Sequence, residues 1–307
     1  MPAVLRSRAE PMHEHVHAHV HELSELWTDA ALRQSLAAVV ILALSAAPVG
    51  VFLMLRRMSL VGDAMSHAIL PGAAIGYLVS GLNVFAMTVG GLAAGLVIAV
   101  LAGLVARATE VKEDASLAVF LLASLALGVV IVTTHGMDAE ELMHFLFGET
   151  AASIDHNKLI IIAVNATASI VALALIYRPL VLDCVDPNFL RSVSRSGATA
   201  HLTFLVLLVV NLVSGFHALG TLLGVGIMII PAVVARFWTR DITAMVAVAV
   251  VVAALAGVAG VLLSHAAGVP AGAGVILAAA ALYTVSVIAG PVGGLLWRAV
   301  PRRHLEA

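Results

Sequence analysis

Cysteine is almost absent from this sequence. Cys184 stands alone among 307 residues, which excludes an intrachain disulfide and any cysteine-built metal cage. Charge is scarce too: Asp, Glu, Lys and Arg make up 11% of the chain, where a soluble domain carries about a quarter. Lys112 and Lys158 are the only lysines. Neither lies in a Gly-rich turn, and no GxxxxGK followed by Ser or Thr occurs, so the chain does not bind ATP through a phosphate loop. The few charges sit in short loops, and a net charge of −2 points to no nucleic-acid partner. What fills the sequence instead is apolar. Hydrophobic residues account for 62% and mean hydropathy is +1.08, the values of an integral membrane protein. The runs are long and helix-like, which excludes a barrel of short alternating strands. Richness in Ala, Val, Leu and Gly points to a high-GC bacterial gene.

Residues 1–29 are polar, lack an apolar signal-peptide core and carry MHEHVHAHVHELSEL, so they read as a tail. A transmembrane domain is expected over 30–298, followed by a short C-terminal tail at 299–307. Its apolar runs fall at about 35–55, 58–81, 85–105, 115–134, 159–177, 202–216, 220–235, 242–263 and 271–296. The expectation is an all-α polytopic bundle of nine transmembrane helices, with Pro48 and Gly50 set to kink the first. The seventh run is short and Gly-rich, and eight helices result if it is re-entrant or broken. Assigning alternate loops to one side gathers Arg56, Arg57, Arg107, Lys112, Arg178, Arg191, Arg195, Arg236, Arg240, Arg298, Arg302 and Arg303, 12 of the 16 basic residues. By the positive-inside rule that side is cytoplasmic, as is the C-terminus, in a bacterial cytoplasmic membrane.

Within the second run, MSLVGDAMSHAILPGAAIGYLVSG, Asp63 and His67 are four residues apart. On a helix both side chains share one face, one turn apart, so a carboxylate oxygen and an imidazole nitrogen can address one divalent cation. Arg56 and Arg57 mark a membrane edge, which sets Asp63 roughly 9 Å and His67 roughly 15 Å deep. Asp63 is the only carboxylate in any of the nine runs. Two readings stand: a polar pair that ties helices together, or an ion site lining a path, the usual reason for an ionisable group at that depth. Pro71 has no N–H for the carbonyl of His67, so a bare acceptor is expected beside the pair.

Ten of the 13 histidines map to the outer side. Five of them, His13, His15, His17, His19 and His21, alternate along the tail, as a metal-collecting arm or as a solvated tail. Gly72 with Gly76, and Gly91 with Gly95, allow close helix approach, within the chain or against a second copy. The longest inner loop is read as 178–197. There Asp186 is placed to cap a short helix opening at Pro187, an amphipathic segment suited to docking a partner or lying on the membrane.

At this point the chain resembles the permease subunits of ATP-binding-cassette importers for zinc, manganese or iron. The resemblance spans about 35–298 and runs through SLVGDAMSHAILPG at 59–72, KEDASLAVF at 112–120, ALGVV at 126–130, HFLFG at 144–148, DPNFLRSV at 186–193 and GTLLGVGIMIIPAVVAR at 220–236. It implies the fold of those permeases, with Asp63 and His67 as transient ligands of a transported divalent metal and no permanently bound cofactor. It implies that Asp186, Pro187, Asn188, Phe189, Leu190 and Arg191 form the segment that couples to an ATPase subunit. That segment departs from the family pattern, with Leu190 where Ala and Ser194 where Gly is usual. The partners implied are the ATPase, an extracytoplasmic metal-binding protein and a second copy of the chain, with lipid around them. Histidine abundance favours zinc, although Asp plus His accommodates manganese. Two rivals remain at this point. An ATP-independent metal carrier draws on EELMH at 140–144 with His156 and Asn157, and a membrane-anchored metal buffer draws on the His-rich tail.

Overall fold

The computed structural model describes residues 30–299 apart from 82, 111–112, 135–153, 155, 187–188, 190–195 and 220. The described residues form helices joined by short connections: α1 (Ala30–Leu55), α2 (Ser59–Ala68), α3 (Leu70–Ser80), α4 (Val84–Ala108), α5 (Glu113–Thr134), α6 (His156–Val185), α7 (Ser196–Leu219), α8 (Thr221–Arg236), α9 (Ile242–Ala267), α10 (Ala271–Ala289) and the short α11 (Leu295–Ala299). Helices are what an apolar solvent demands, because each closes its own backbone hydrogen bonds. The termini are finished by side chains and turns. Asn83 Oδ1 accepts from the N–H of Phe85 at 3.0 Å and of Ala86 at 3.3 Å to cap α4, and Asp241 caps α9 through the Ala244 N–H at 2.8 Å.

Six helices are long and apolar enough to cross a bilayer, and three shorter apolar helices fall within 65–80, 115–131 and 223–236. The nine apolar runs therefore all become helical. The second is the interrupted one, split into α2 and α3 at Ile69, whereas the seventh is a single helix, α8, of 16 residues. Helix α1 is the central post. In its most apolar stretch 72% of the residues are buried, against 22% in α6, and it packs against α6, α7, α8 and α9. Its Phe52, Leu53 and Leu42 are fully enclosed. Leu175, Val119, Leu122 and Phe85 point outward, the positions lipid covers in a membrane protein.

Helix–helix distance is set by small residues. A Cβ on Gly72 would lie 2.0 Å from the Gly90 carbonyl oxygen, and one on Gly50 would lie 1.8 Å from that of Met228. Gly72 and Gly76 thus seat α3 on α4, and Gly91 and Gly95 receive Ile69 and Val209 side chains. Both pairs serve packing within the chain.

Two helix ends and one hydrogen bond differ from the sequence expectation. Helix α6 does not stop near Tyr177 but continues through Arg178 and Pro179 to Val185, so the first eight residues of the expected 178–197 loop are helical. Proline is tolerated there because it removes one hydrogen bond while the surrounding helix persists. Helix α10 stops at Ala289 instead of near Leu296, since Gly290-Pro291-Val292-Gly293-Gly294 forms a turn in which Gly293 takes φ 96. The carbonyl of His67, expected bare, accepts from the Ile69 N–H.

Candidate functional site

Asp63 and His67 both lie on α2, one turn apart, with His67 in the last turn and half-buried. The side chain of Asp63 lies outside the described residues. Helix α2 packs against α5 and also touches α1, α4, α7 and α8, so it is enclosed by the bundle. Gly62, on the turn of Asp63, admits the ends of Leu53 and Ile229, which a Cβ there would meet at 3.2 and 3.5 Å.

Directly after His67 the helix breaks. Pro71 cannot donate to the His67 carbonyl, and the chain restarts as α3 with Ile69 between the two helices. Such a break leaves carbonyls without their usual donors in a medium that offers no water. The protein supplies one from another helix: Ser124 Oγ on α5 donates to the Ala68 carbonyl at 3.1 Å. The site is thus two potential ligands on a short helix, followed by a break whose polar groups are met from α5. Among the described residues no group of three His, Cys, Asp or Glu side chains gathers to hold a metal. A pair one turn apart suits brief ligation of a passing cation better than tight storage.

The second region is the end of the bundle where α1 and α6 finish and α7 begins. Asp186 Oδ1 accepts from the Phe189 N–H at 2.9 Å, the N-cap bond expected from the sequence. Phe189 is helical and exposed. Pro187, Asn188, Leu190 and Arg191 lie outside the described residues. So do His13, His15, His17, His19 and His21, the EELMH stretch at 140–144 and HFLFG at 144–148. His156 and Asn157 open α6, exposed at the opposite end of that helix.

Beside Asp186 is a polar cluster that sequence reasoning missed. Arg56, just past the last residue of α1, donates through Nη2 to Asp183 Oδ2 on α6 and to His201 Nδ1 on α7, the latter at 2.9 Å. Its guanidinium also lies 5.1 Å from the centre of the Phe204 ring. Because arginine only donates, His201 Nδ1 is the acceptor and its ring hydrogen is on Nε2. The side chain of Arg56 is 10% exposed, and its Nη1 is buried with no hydrogen-bond partner among the described residues. The turn that carries it is a Schellman motif: Arg57 N–H bonds the Met54 carbonyl at 3.0 Å and Met58 N–H that of Leu53 at 2.9 Å, with Arg57 at φ 60. Helices α6 and α7 are cross-bonded farther along by Asn165 Nδ2 to Ser214 Oγ and Asn211 Nδ2 to Ser169 Oγ, both 3.1 Å. Asp183 stands 127 and His201 145 residues from Arg56, so no local pattern announces the cluster.

The profile of the ABC 3 transport family matches residues 28–290. The manganese transport system membrane protein MntC of Halalkalibacterium halodurans is 29% identical, over 90% of this chain and 94% of that protein. The zinc transport system membrane protein TroC of Treponema pallidum is 30% identical, over 94% of this chain and 98% of that one. Among solved structures, PsaBC from Streptococcus pneumoniae in complex with Fab matches with a TM-score of 0.79 and 25% identity, covering 91% of this chain and 99% of that chain.

Proposed function

We propose a specific role for this chain, which belongs to the ABC 3 transport family: that it carries zinc or manganese across the membrane through a path in which Asp63 and His67 are the transient ligands. It is a multi-pass membrane permease subunit of a metal importer, not an enzyme, and ATP is hydrolysed by a separate subunit. The observation that carries the ligand assignment is the placement of both residues on α2, one turn apart and directly before the break at Ile69. A carboxylate and a neutral imidazole accept either metal, and selectivity then depends on geometry and not on raw affinity. The relatives' names divide between manganese and zinc, and the histidine-based preference for zinc adds nothing that excludes manganese.

In this reading two copies of the chain line the path, each contributing one Asp–His pair, and a metal-binding protein delivers the ion at the side opposite the arginines. The ATPase docks on the segment that begins at Asp186, whose capped helix presents the exposed Phe189. ATP-driven movement of that segment swings the bundle between two accesses, and the break after His67 gives α2 a place to turn. The C-terminus lies on the cytoplasmic side, where the arginines gather.

The test is uptake of radioactive zinc and of radioactive manganese by cells lacking their own high-affinity systems, with this chain expressed alone or with its ATPase and binding protein. Uptake that requires the ATPase and is lost in Asp63→Asn and His67→Ala, with the complex still assembled, is the expected result; the competing cold metal that blocks it names the cargo. Unchanged uptake in both variants would sink the ligand assignment. Uptake without the ATPase would restore the carrier reading.

A further inference from the structure

We infer that Arg56 is the positioning residue through which movement of the Asp186 segment reaches α2, and so the ion path. This rests on the proposed docking of the ATPase on that segment. Three observations carry it. First, one guanidinium joins the two helices that flank the segment: Asp183 lies three residues before Asp186, and His201 lies in the opening turns of α7, which begins at Ser196. Second, α6 and α7 are tied to each other by the two Asn–Ser bonds, so they form a paired lever whose open end carries the segment. Third, Arg56 belongs to the turn from which α2 starts three residues later, with Asp63 in the second turn of that helix.

The chemistry suits a mechanical link. A guanidinium is always charged, and its planar fork holds several acceptors in fixed directions. Here a single nitrogen serves both helices while the ring of Phe204 lies near the cation. Removal of one partner from a largely buried pair leaves an uncompensated charge, so the link resists separation. The Arg56–Asp183 salt bridge is thus a charged tie between the end of α1 and the α6–α7 lever. Pushing the lever then drags the corner between α1 and α2 with it.

Cys184 is the sole cysteine, so Cys184→Ser gives a thiol-free chain in which linkers can be placed at will. The assay is the complete transporter in proteoliposomes, scored as metal ions moved per ATP hydrolysed. Arg56→Gln is expected to lower that ratio by at least about tenfold, within the range of energetic coupling between distant sites. Arg56→Cys with Asp183→Cys is expected to be equally poor, to recover when a reversible bis-methanethiosulfonate linker about as long as an arginine side chain joins the two thiols, and to fail again on reduction. A ratio unchanged in Arg56→Gln, or a linked double variant that stays uncoupled, overturns the inference. If Arg56→Gln does not assemble, the linked and reduced forms of the double variant decide alone. A Cys184→Ser parent that hydrolyses ATP but moves neither zinc nor manganese would instead count against the proposed function.

Discussion

The α2–α3 segment and the α6–α7 pair are made from similar residues and behave as opposites. Both lie in an apolar bundle and both carry polar side chains. In α2–α3 the polar groups accompany a gap: Pro71 ends the hydrogen-bond ladder, Ile69 stands between two helices, and Ser124 reaches across from α5 to the carbonyl of Ala68. In α6–α7 they close a seam, with Asn165, Ser169, Asn211 and Ser214 tying two unbroken helices of 30 and 24 residues together. The difference teaches that polarity in this membrane protein is spent in two ways. One place is an interruption bridged from a neighbouring helix, and the other is a seam that ties two helices together.

Three variants break or sharpen that contrast. The largest effect is expected from Gly72→Leu, because even a Cβ would lie 2.0 Å from the Gly90 carbonyl oxygen and only backbone movement relieves it. Forced separation of α3 from α4 should cost about 3 kcal/mol or more, seen as loss of monodisperse protein in detergent; a normal yield would mean that α3 is not held on α4. Next comes the double variant Asn165→Ala, Asn211→Ala, which opens the α6–α7 seam. Interhelical hydrogen bonds in membranes average about 0.6 kcal/mol each, so a total near 1 kcal/mol is expected in a denaturation titration. The contrast predicts that fewer ions move per ATP while metal affinity stays the same, and a changed affinity would argue that the seam shapes the ion site. The smallest effect belongs to Ser124→Ala, about 0.6 kcal/mol by the same measure. A loss above about 2 kcal/mol would show that the break depends on that hydroxyl for its existence, since this approaches the full cost of a buried unsatisfied acceptor.

Much of the architecture was legible because hydropathy is a local property. Each of the nine apolar runs is helical over most of its length, the second as two helices, and Asp186 caps as its position before Pro187 implies. The Asp63–His67 spacing gave the pair on one helix directly, since four residues are one turn. The misses have physical causes. Gly290 to Gly294 sits in an otherwise apolar stretch, and hydropathy does not register the turn that Gly and Pro impose. Pro179 looked like a helix end, yet a bundle holds a helix through one missing bond. The fate of the freed carbonyls at the break was decided by Ile69 and by Ser124, the latter 56 residues away. The Arg56 cluster joins the turn after α1 to α6 and α7, a juxtaposition that exists only after folding.

The unequal lengths of α6 and α8 also bear on the bilayer itself. At 1.5 Å per residue α6 is about 45 Å long and α8 about 24 Å, against a hydrocarbon slab of about 30 Å. Helix α6 faces lipid and must lean or protrude, while α8, flanked by α1, α7, α9 and α10, falls about 6 Å short. Hydrophobic thickness thus acts on the two helices with opposite sign: a thicker membrane reduces the overhang of one and deepens the deficit of the other. A change in lipid chain length therefore places opposite demands on two helices of one bundle.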